Sequence, residues 1–263
     1  MPHVNINDIK LYYEQHGNGP DLILIGGLTA DHQAWKSSVR LLSPDFRLLI
    51  FDNRGAGQSD APDYPYTIEM MADDTLQLMN ALSISHAHIL GHSMGGAIAQ
   101  QIALTSPEKI DKLILVSTRA KISAIGEMLF NMREKLQAFG MPDDLLAEYV
   151  MPFLFNEKFL QNKTNVKGFL HWTLQNPFPQ SSLGFKHQFH ASRTRDFTDQ
   201  LCAISLSTLI IVGTEDILVP MDYAKNFSTL FKNSTLQTMF NCAHMPHVEN
   251  SHLLAQIIIK FLK

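Results

Sequence analysis

The segment Gly91–Gly95, which reads GHSMG, constrains the fold of this chain more than any other feature. It follows the short apolar run 87–90, which predicts a buried strand, and it precedes residues 96–104, whose small and then amphipathic pattern predicts a helix. A G-x-S-x-G pattern between a strand and a helix is a nucleophile elbow, a sharp turn that lifts the serine hydroxyl clear of the sheet. We therefore expect Ser93 to be a nucleophile at the positively polarised N-terminal end of a helix.

Composition excludes several classes of protein. Of the 263 residues, 45% are hydrophobic and 17% are charged, a balance typical of globular domains rather than disordered chains. A net charge of −4 without a basic run argues against nucleic acid as a partner and against an electrostatic membrane anchor. No signal-peptide pattern is present, and no apolar run approaches the ~20 residues that cross a bilayer. We expect a cytoplasmic protein without stable membrane association, in which Cys202 and Cys242 are free thiols.

Buried strands alternate with helices along most of the chain. After a predicted β-hairpin at 3–16, apolar runs predict strands at 21–25, 47–51, 87–90, 112–116, 208–212 and 235–240. Amphipathic patterns predict helices at 34–42, at 67–82 with Thr67 as the N-cap, after the elbow, and at 253–262. This alternation predicts a mostly parallel sheet with helices on both faces.

Residues 119–201, which we call the cap segment, break this alternation. They contain no strand pattern and are helical in periodicity, rich in Phe, Met and Leu, and interrupted by prolines. A helical insertion between two parallel strands lies over their C-terminal ends, where ligands bind in open α/β sheets. We therefore predict a core domain made of residues 1–118 and 202–263, with the cap segment inserted in it.

A nucleophilic serine needs a base and an acid that orients the base. In elbow proteins these follow the serine in the order acid, then histidine, each after a later strand. Asp216 follows the strand at 208–212 and is the predicted acid, with Glu215 and Asp222 as local alternatives.

Two histidines follow the last predicted strand. His244 lies in the loop directly after it, whereas His247 lies at the expected start of the final helix. Position favours His244 as the base.

The negative oxygen that forms during acyl transfer needs two backbone N–H donors. One is expected from Met94, the residue after the nucleophile, and the other from Leu28, which follows Gly26-Gly27 at the end of the strand 21–25. No metal or organic cofactor is required for this chemistry.

Together these segments resemble the α/β-hydrolase superfamily over nearly the whole chain. The resemblance rests on Gly26-Gly27, on 52–59 (DNRGAGQS), on the elbow, on Gly213–Asp216 and on 244–249 (HMPHVE). The R-G-x-G-x-S pattern in 52–59 is similar to that of cap-bearing members, which include 3-oxoadipate enol-lactonases, carboxylesterases, meta-cleavage-product hydrolases and haloperoxidase-like perhydrolases. The resemblance implies an α/β-hydrolase fold with a mostly parallel, eight-stranded, doubly wound sheet and a helical cap.

The predicted activity is that of a carboxylic ester hydrolase with a Ser-His-Asp triad, acting on a small to medium, largely apolar ester or lactone through an acyl-enzyme. Carbon–carbon bond hydrolysis and perhydrolysis use the same residues and stay open, as does a small-molecule receptor with slow turnover. Ser93 argues against a dehalogenase, whose nucleophile is an aspartate. We expect Asp52 and Arg54 to hold a loop in place, and Arg193 and Arg195 to lie at a solvated edge of the cap segment, where either would favour an acidic substrate if it pointed inward.

Overall fold

A computed structural model describes residues 2–263 of the chain, which form one eight-stranded sheet. The sheet order is β1-β2-β4-β3-β5-β6-β7-β8. β1 and β2, and β2 and β4, pair antiparallel, while every other neighbouring pair is parallel. The predicted mostly parallel, eight-stranded sheet is confirmed. The strands are β1 (His3–Ile6), β2 (Ile9–His16), β3 (Asp21–Ile25), β4 (Arg47–Phe51), β5 (Ala87–His92), β6 (Ile110–Val116), β7 (Thr208–Gly213) and β8 (Ser234–Met239).

Helices cover both faces of the sheet and make up the cap segment. The helices outside the cap segment are α1 (Lys36–Leu42), α2 (Ile68–Ala81), α3 (Met94–Thr105), α9 (Met221–Thr229), α10 (Pro246–Glu249) and α11 (Ser251–Leu262). Those of the cap segment are α4 (Ala124–Ala138), α5 (Asp143–Leu154), α6 (Glu157–Gln161), α7 (Lys163–Leu174) and α8 (Ser182–Thr194). Short 3₁₀ turns occur at His32–Trp35, Pro107–Lys109 and Leu201–Ala203. Within residues 2–263, every helix is too short or too polar to span a bilayer.

Alternating side chains of the central strands pack into two separate cores. On β3, Ile23 and Ile25 join the core beneath α2 and α3, whereas Leu22 and Leu24 join the core beneath α1 and α11. All four side chains are fully buried, as expected of a parallel strand covered on both faces. The continuous apolar runs in the sequence follow from this double burial.

Several predicted boundaries differ from the structure by one or two residues, and two of the differences have a clear local cause. The helix predicted from residue 34 begins at Lys36, because the preceding residues form the 3₁₀ turn that Asp31 caps by accepting a hydrogen bond from the Gln33 amide. His247 lies in the separate short helix α10, and Asn250 then caps α11 with its side chain. Thr67 caps α2 as predicted, accepting a hydrogen bond from the Met70 amide.

The parallel strands bring distant loops to one edge of the sheet. β3, β5, β6, β7 and β8 run in the same direction, so the loops that follow them meet at their C-terminal ends. The cap segment connects β6 to β7, the strands next to β5 and β8. Its predicted status as a separate unit stays a prediction.

A buried ion pair joins the loop after β4 to α2. Arg54 Nε and Nη2 lie 2.6 and 2.7 Å from the two carboxylate oxygens of Asp74, and both side chains are almost fully buried. Burial by itself would lower the pKa of Arg54, but the hydrogen bonds and charge of Asp74 outweigh it and raise the pKa above its usual value. Arg54 therefore holds this loop in place, and the structure offers no chemical role for it.

Replacement of Asp74 by Asn is expected to lower the free energy of unfolding by roughly 3 kcal/mol, because it leaves the buried Arg54 charge with only the longer, exposed contact to Asp8 at 3.4 Å as an ion pair. Urea unfolding at neutral pH measures the change. The control is Asp21→Asn, which breaks the pair with the more exposed Arg47 and is expected to cost at most about 1 kcal/mol. Equal losses in the two variants would contradict the assigned importance of burial.

Candidate active site

Ser93 occupies a strained turn between β5 and α3. Its backbone angles, φ 54° and ψ −117°, lie in a region that residues with a side chain rarely adopt. The Ser93 amide donates to the Val116 carbonyl of β6, and its own carbonyl accepts from the Thr118 hydroxyl at 2.7 Å. These contacts hold the strained residue at the sheet edge, where its hydroxyl projects from the turn.

The glycines at 91 and 95 are required by close backbone contacts. A Cβ on Gly91 would lie 2.2 Å from the Gly95 carbonyl oxygen, and one on Gly95 would lie 2.1 Å from the Ile25 carbonyl oxygen. Both distances are far below van der Waals contact, so the turn closes only if these positions lack a side chain. The spacing of the two glycines therefore has a steric cause.

Asp216 is buried in the turn after β7 and faces His244. Its Oδ1 accepts hydrogen bonds from the Leu218 and Val219 amides at 3.0 and 2.9 Å, and its Oδ2 lies 2.9 Å from His244 Nδ1. Burial alone would raise the pKa of Asp216, but His244, the Val219 amide and Arg119 outweigh it and hold the pKa below the ordinary value of 3.8. The carboxylate is therefore ionised at neutral pH and accepts a hydrogen bond from His244 Nδ1–H.

His244 bridges Asp216 and Ser93. Its Nε2 lies 3.0 Å from Ser93 Oγ. Because the ionised carboxylate of Asp216 can only accept, the proton of a neutral His244 sits on Nδ1 and leaves Nε2 free to accept from the serine hydroxyl. The structure thus brings all three residues selected from the sequence into one hydrogen-bonded chain.

The alternative residues point elsewhere. Asp222 is almost fully exposed and lies 3.8 Å from Lys225. Glu215 donates its amide to the Cys242 carbonyl, but its carboxylate has no partner among the described residues. His247 is buried against Trp35, with ring centroids 5.1 Å apart. Burial, followed by the charge of His244, lowers the pKa of His247 to about 3, so this ring is neutral.

His92, the residue before Ser93, supports the backbone of His244. Its Nε2 lies 2.8 Å from the His244 carbonyl oxygen, and its ring packs edge-on to His247 at 4.6 Å. Burial and the nearby histidines hold the pKa of His92 well below 6.5. A neutral His92 donates from Nε2 to this carbonyl, a contact that joins two residues far apart in sequence and that the motif alone does not predict.

Leu28 and Met94 lie on either side of the serine and line the same cavity. Gly27 is so close that a Cβ there would lie 3.1 Å from Ser93 Cβ, and Asn53 holds the same loop by donating to the Gly26 carbonyl at 3.1 Å. Within residues 2–263 neither the Leu28 nor the Met94 amide donates a hydrogen bond. Both amides are therefore without a hydrogen-bond acceptor in the described part of the chain, and their role as oxyanion donors stays a prediction.

The cavity at Ser93 is small and lies beneath the cap segment. Its volume is about 50 Å³, against ~150 Å³ for a cavity that holds benzene. The apolar residues that line it are Leu28, Met94, Ala97, Ala120, Ile122 and Phe130. Space next to the serine therefore suits a group of a few heavy atoms.

The two arginines at the cap edge differ in position. Arg195 lines the cavity at Ser93, where Glu69 lies 3.0 Å from Nη1 and Gln101 accepts from Nη2 at 2.9 Å. Arg193 lies in an outer groove and is 3.4 Å from Glu127. The expectation of a solvated edge holds for Arg193, while Arg195 faces the cavity with its charge already paired.

Arg119 is a further cation at this edge that sequence reasoning left out. It lines the cavity, donates from Nη1 to the Leu218 carbonyl at 2.8 Å, and adds positive charge near Asp216. Burial lowers its pKa to about 10, which still leaves it charged at neutral pH. No group of three or more His, Cys, Asp or Glu side chains in the described part of the chain is arranged to hold a metal ion.

Comparisons with known proteins agree with this architecture. Residues 20–251 match a family model described as alpha/beta hydrolase fold. A curated relative, named "Putative carbamate hydrolase RutD" in Pseudomonas syringae pv. syringae, is 27% identical over 236 residues, which are 89% of this chain and 90% of the relative.

Two solved structures share the fold over nearly the full length. The enol-lactonase from Burkholderia xenovorans LB400 is 25% identical, with a TM-score of 0.90 and 99% coverage of both chains. A thermophilic esterase from Thermogutta terrifontis is 28% identical, with a TM-score of 0.85 and coverage of 97% of this chain and 93% of that one.

Gly95→Ala and Gly168→Ala are expected to change stability in opposite directions. The first places a Cβ against the Ile25 carbonyl and is expected to cost about 3 kcal/mol through overpacking. Gly168 lies inside α7 with no atom within 4 Å of an added Cβ, so Ala there is expected to stabilise by about 0.5–1 kcal/mol. Urea unfolding of both variants decides, and a stable Gly95→Ala protein would show that the turn tolerates a side chain.

Proposed function

Because the chain belongs to the α/β-hydrolase family, we propose that it is a serine hydrolase that cleaves small carboxylic esters or lactones through an acyl-enzyme intermediate. One observation carries the proposal. Ser93 Oγ, both ring nitrogens of His244 and Asp216 Oδ2 form a continuous chain with links of 3.0 and 2.9 Å. A serine, a base and an orienting acid within hydrogen-bond distance are what nucleophilic acyl transfer requires.

In the acylation step, Ser93 Oγ attacks the carbonyl carbon of the substrate while His244 Nε2 takes its proton. Asp216 keeps the Nδ1–H tautomer of His244 and stabilises the imidazolium that forms. The Leu28 and Met94 amides donate to the oxygen that becomes negative, and the N-terminal end of α3 adds favourable electrostatic potential there. His244 then gives its proton to the leaving alcohol, whose bond to the acyl carbon breaks.

In the deacylation step, water replaces the alcohol. His244 Nε2 takes a proton from the water as its oxygen attacks the acyl carbon, and the same two amides hold the second oxyanion. Collapse of this intermediate breaks the bond to Ser93 Oγ, which recovers its proton from His244. The carboxylic acid leaves and the enzyme returns to its starting state.

Cavity size limits the acyl group. A volume of about 50 Å³ beside Ser93 accommodates an acyl part of two or three carbons without movement of the cap segment. The names of two relatives indicate a carbamate and a lactone as the substrates of those proteins. A carbamoyl group has the same few heavy atoms as a short acyl group, whereas a lactone ring is larger and requires movement of the cap segment. The proposed substrates are therefore short-chain esters, small lactones and, as a variant of the same chemistry, small carbamates.

Steady multiple turnover of p-nitrophenyl acetate and propionate is expected, with hexanoate at least about tenfold slower in kcat/KM. Ser93→Ala and His244→Ala are each expected to abolish turnover, because they remove the nucleophile and its base. His247→Ala is the matched control: its ring lies in the same region but outside the hydrogen-bonded chain, so far more activity survives. A single slow burst in the wild-type protein would instead favour a receptor, and a His247→Ala loss equal to that of His244→Ala would contradict the assigned base.

Asp216→Asn is expected to lower kcat by up to about 10⁴-fold, since the amide no longer holds His244 in the tautomer that accepts from serine. The neighbouring Glu215 provides the control, because its carboxylate takes no part in the hydrogen bonds that join Ser93, His244 and Asp216. The kcat of Glu215→Gln should stay within a few-fold of wild type. Steady-state kinetics on the acetate ester measure both. Near-normal activity in Asp216→Asn would mean that another group orients His244.

A further inference from the structure

The loop that carries His244, residues 240–245, is fastened to the cap segment as well as to the core. On the core side, the His244 carbonyl accepts from His92, and the Cys242 carbonyl accepts from the Glu215 amide at 2.9 Å. On the other side, the His244 amide donates to the Leu154 carbonyl at the end of α5, 3.1 Å away. The backbone of His244 is thus held between two parts of the chain that meet only in the folded protein.

A half-buried side chain, Glu249, and a buried one, Asn156, complete the attachment. Both carboxylate oxygens of Glu249 accept hydrogen bonds from backbone amides, one from Ala243 at 2.6 Å and the other from Asn156 at 2.7 Å. Asn156, which lies between α5 and α6 and is 5% exposed, also donates from its side chain to the Asn241 carbonyl. Asn156 and Glu249 therefore connect the cap segment to the residue immediately before His244, and we call this pair the clasp.

The Glu249 carboxylate has no cationic partner among the described residues. In the described part of the chain no Lys, Arg or His nitrogen lies within 4.0 Å of its carboxylate, so the two backbone amides are its compensation. Hydrogen bonds to an ionised carboxylate are roughly twice as strong as neutral ones. A rigid, charge-assisted link of this kind suits a loop whose position matters to a fraction of an ångström.

We propose that Asn156 and Glu249 are positioning residues that hold His244 in register with Ser93 by fastening its loop to the cap segment. The role rests on the proposed serine mechanism, in which His244 Nε2 takes the proton of Ser93. Displacement of a reacting group by about 1 Å can cost roughly 10²-fold in rate. A shift of the cap segment at Asn156 is transmitted to Asn241, Ala243 and His244 through the hydrogen bonds described.

Protonation of Glu249 gives the clasp a pH dependence. Titratable groups lie near this carboxylate on two loops. Asp216 and Glu215 belong to the loop after β7, and Cys242 and His244 belong to the loop 240–245. Burial, together with the negative charges of Asp216 and Glu215, raises the pKa of Glu249 above 4.5 although two amides stabilise its ionised form. As the pH falls, protonation converts one acceptor oxygen to a hydroxyl, and one of the two amides loses its partner.

A pair of serine substitutions isolates the link from helix capping. Asn156 caps α6 and Asn162 caps α7 through their side-chain oxygens, and serine keeps this function at both positions. Only at 156 does the residue also reach the Asn241 carbonyl. Asn156→Ser is therefore expected to lower kcat by about tenfold or more with KM within twofold of wild type, whereas Asn162→Ser stays within twofold in both.

Glu249→Gln provides an independent test because glutamine mimics the protonated carboxyl. Its kcat is expected to be about tenfold below wild type at pH 8, and the ratio of wild type to variant should decrease as the pH is lowered, because protonation of Glu249 makes the wild type resemble the variant. The exposed Glu157, whose carboxylate bonds only to Gln161 among residues 2–263, supplies the control Glu157→Gln, for which the ratio stays near one at every pH. A structural effect of the substitution alone would give a ratio that does not change with pH.

Labelling with a fluorophosphonate separates the clasp from the proposed function. If the wild-type protein takes up no phosphonate at Ser93, the serine mechanism is refuted, and the role of the clasp with it. Stoichiometric labelling of the wild type and all variants, combined with the losses in Asn156→Ser and Glu249→Gln, supports the clasp. Stoichiometric labelling with both variants within twofold of their controls refutes the clasp and leaves the serine mechanism standing.

Discussion

The turn at Ser93 is the constraint on which the rest of the site depends. The strand β5 and the helix α3 can meet at this angle only because Gly91 and Gly95 have no side chain, and the cost is a positive φ at the serine itself. The carbonyl of Ile25 passes within 2.1 Å of where a Cβ on Gly95 would lie, so the same contact packs β3 against the turn. As a result, the loop with Leu28 comes to lie beside the serine.

Because the strands are parallel, several loops bring residues next to the turn at Ser93. The edge of the sheet gathers the loops after β3, β5, β7 and β8, which carry one oxyanion donor, the serine, the acid and the base of the proposed mechanism. Burial of Asp216 is acceptable because two amides and His244 compensate its charge. The buried, neutral His92 and His247 form the packing behind His244.

Asparagine side chains link the cap segment to this edge at two of the places where the two parts meet. Asn176 donates to Asp31 at 2.7 Å and accepts from Gln33 at 2.9 Å. Asp31 and Gln33 directly follow the loop that contains Leu28. Asn156 makes the corresponding link to the loop with His244. Each of the two links uses a buried or half-buried amide side chain that can donate and accept at once, which fits a junction between irregular segments of backbone.

Local sequence patterns determined the strands, the elbow and Thr67 as a helix cap, because each depends on the spacing of neighbouring residues. The acid and the histidine were found from the strand that each follows. Only the tertiary structure decided that Arg195 rather than Arg193 faces the cavity, that His92 bonds to the His244 carbonyl, and that Asn156 bonds to the loop of Asn241. These contacts join residues far apart along the chain, and their geometry depends on strand register, loop path and side-chain direction. None of these quantities leaves a repeating pattern in the sequence, so the fold was more accessible to prediction than the details of the site.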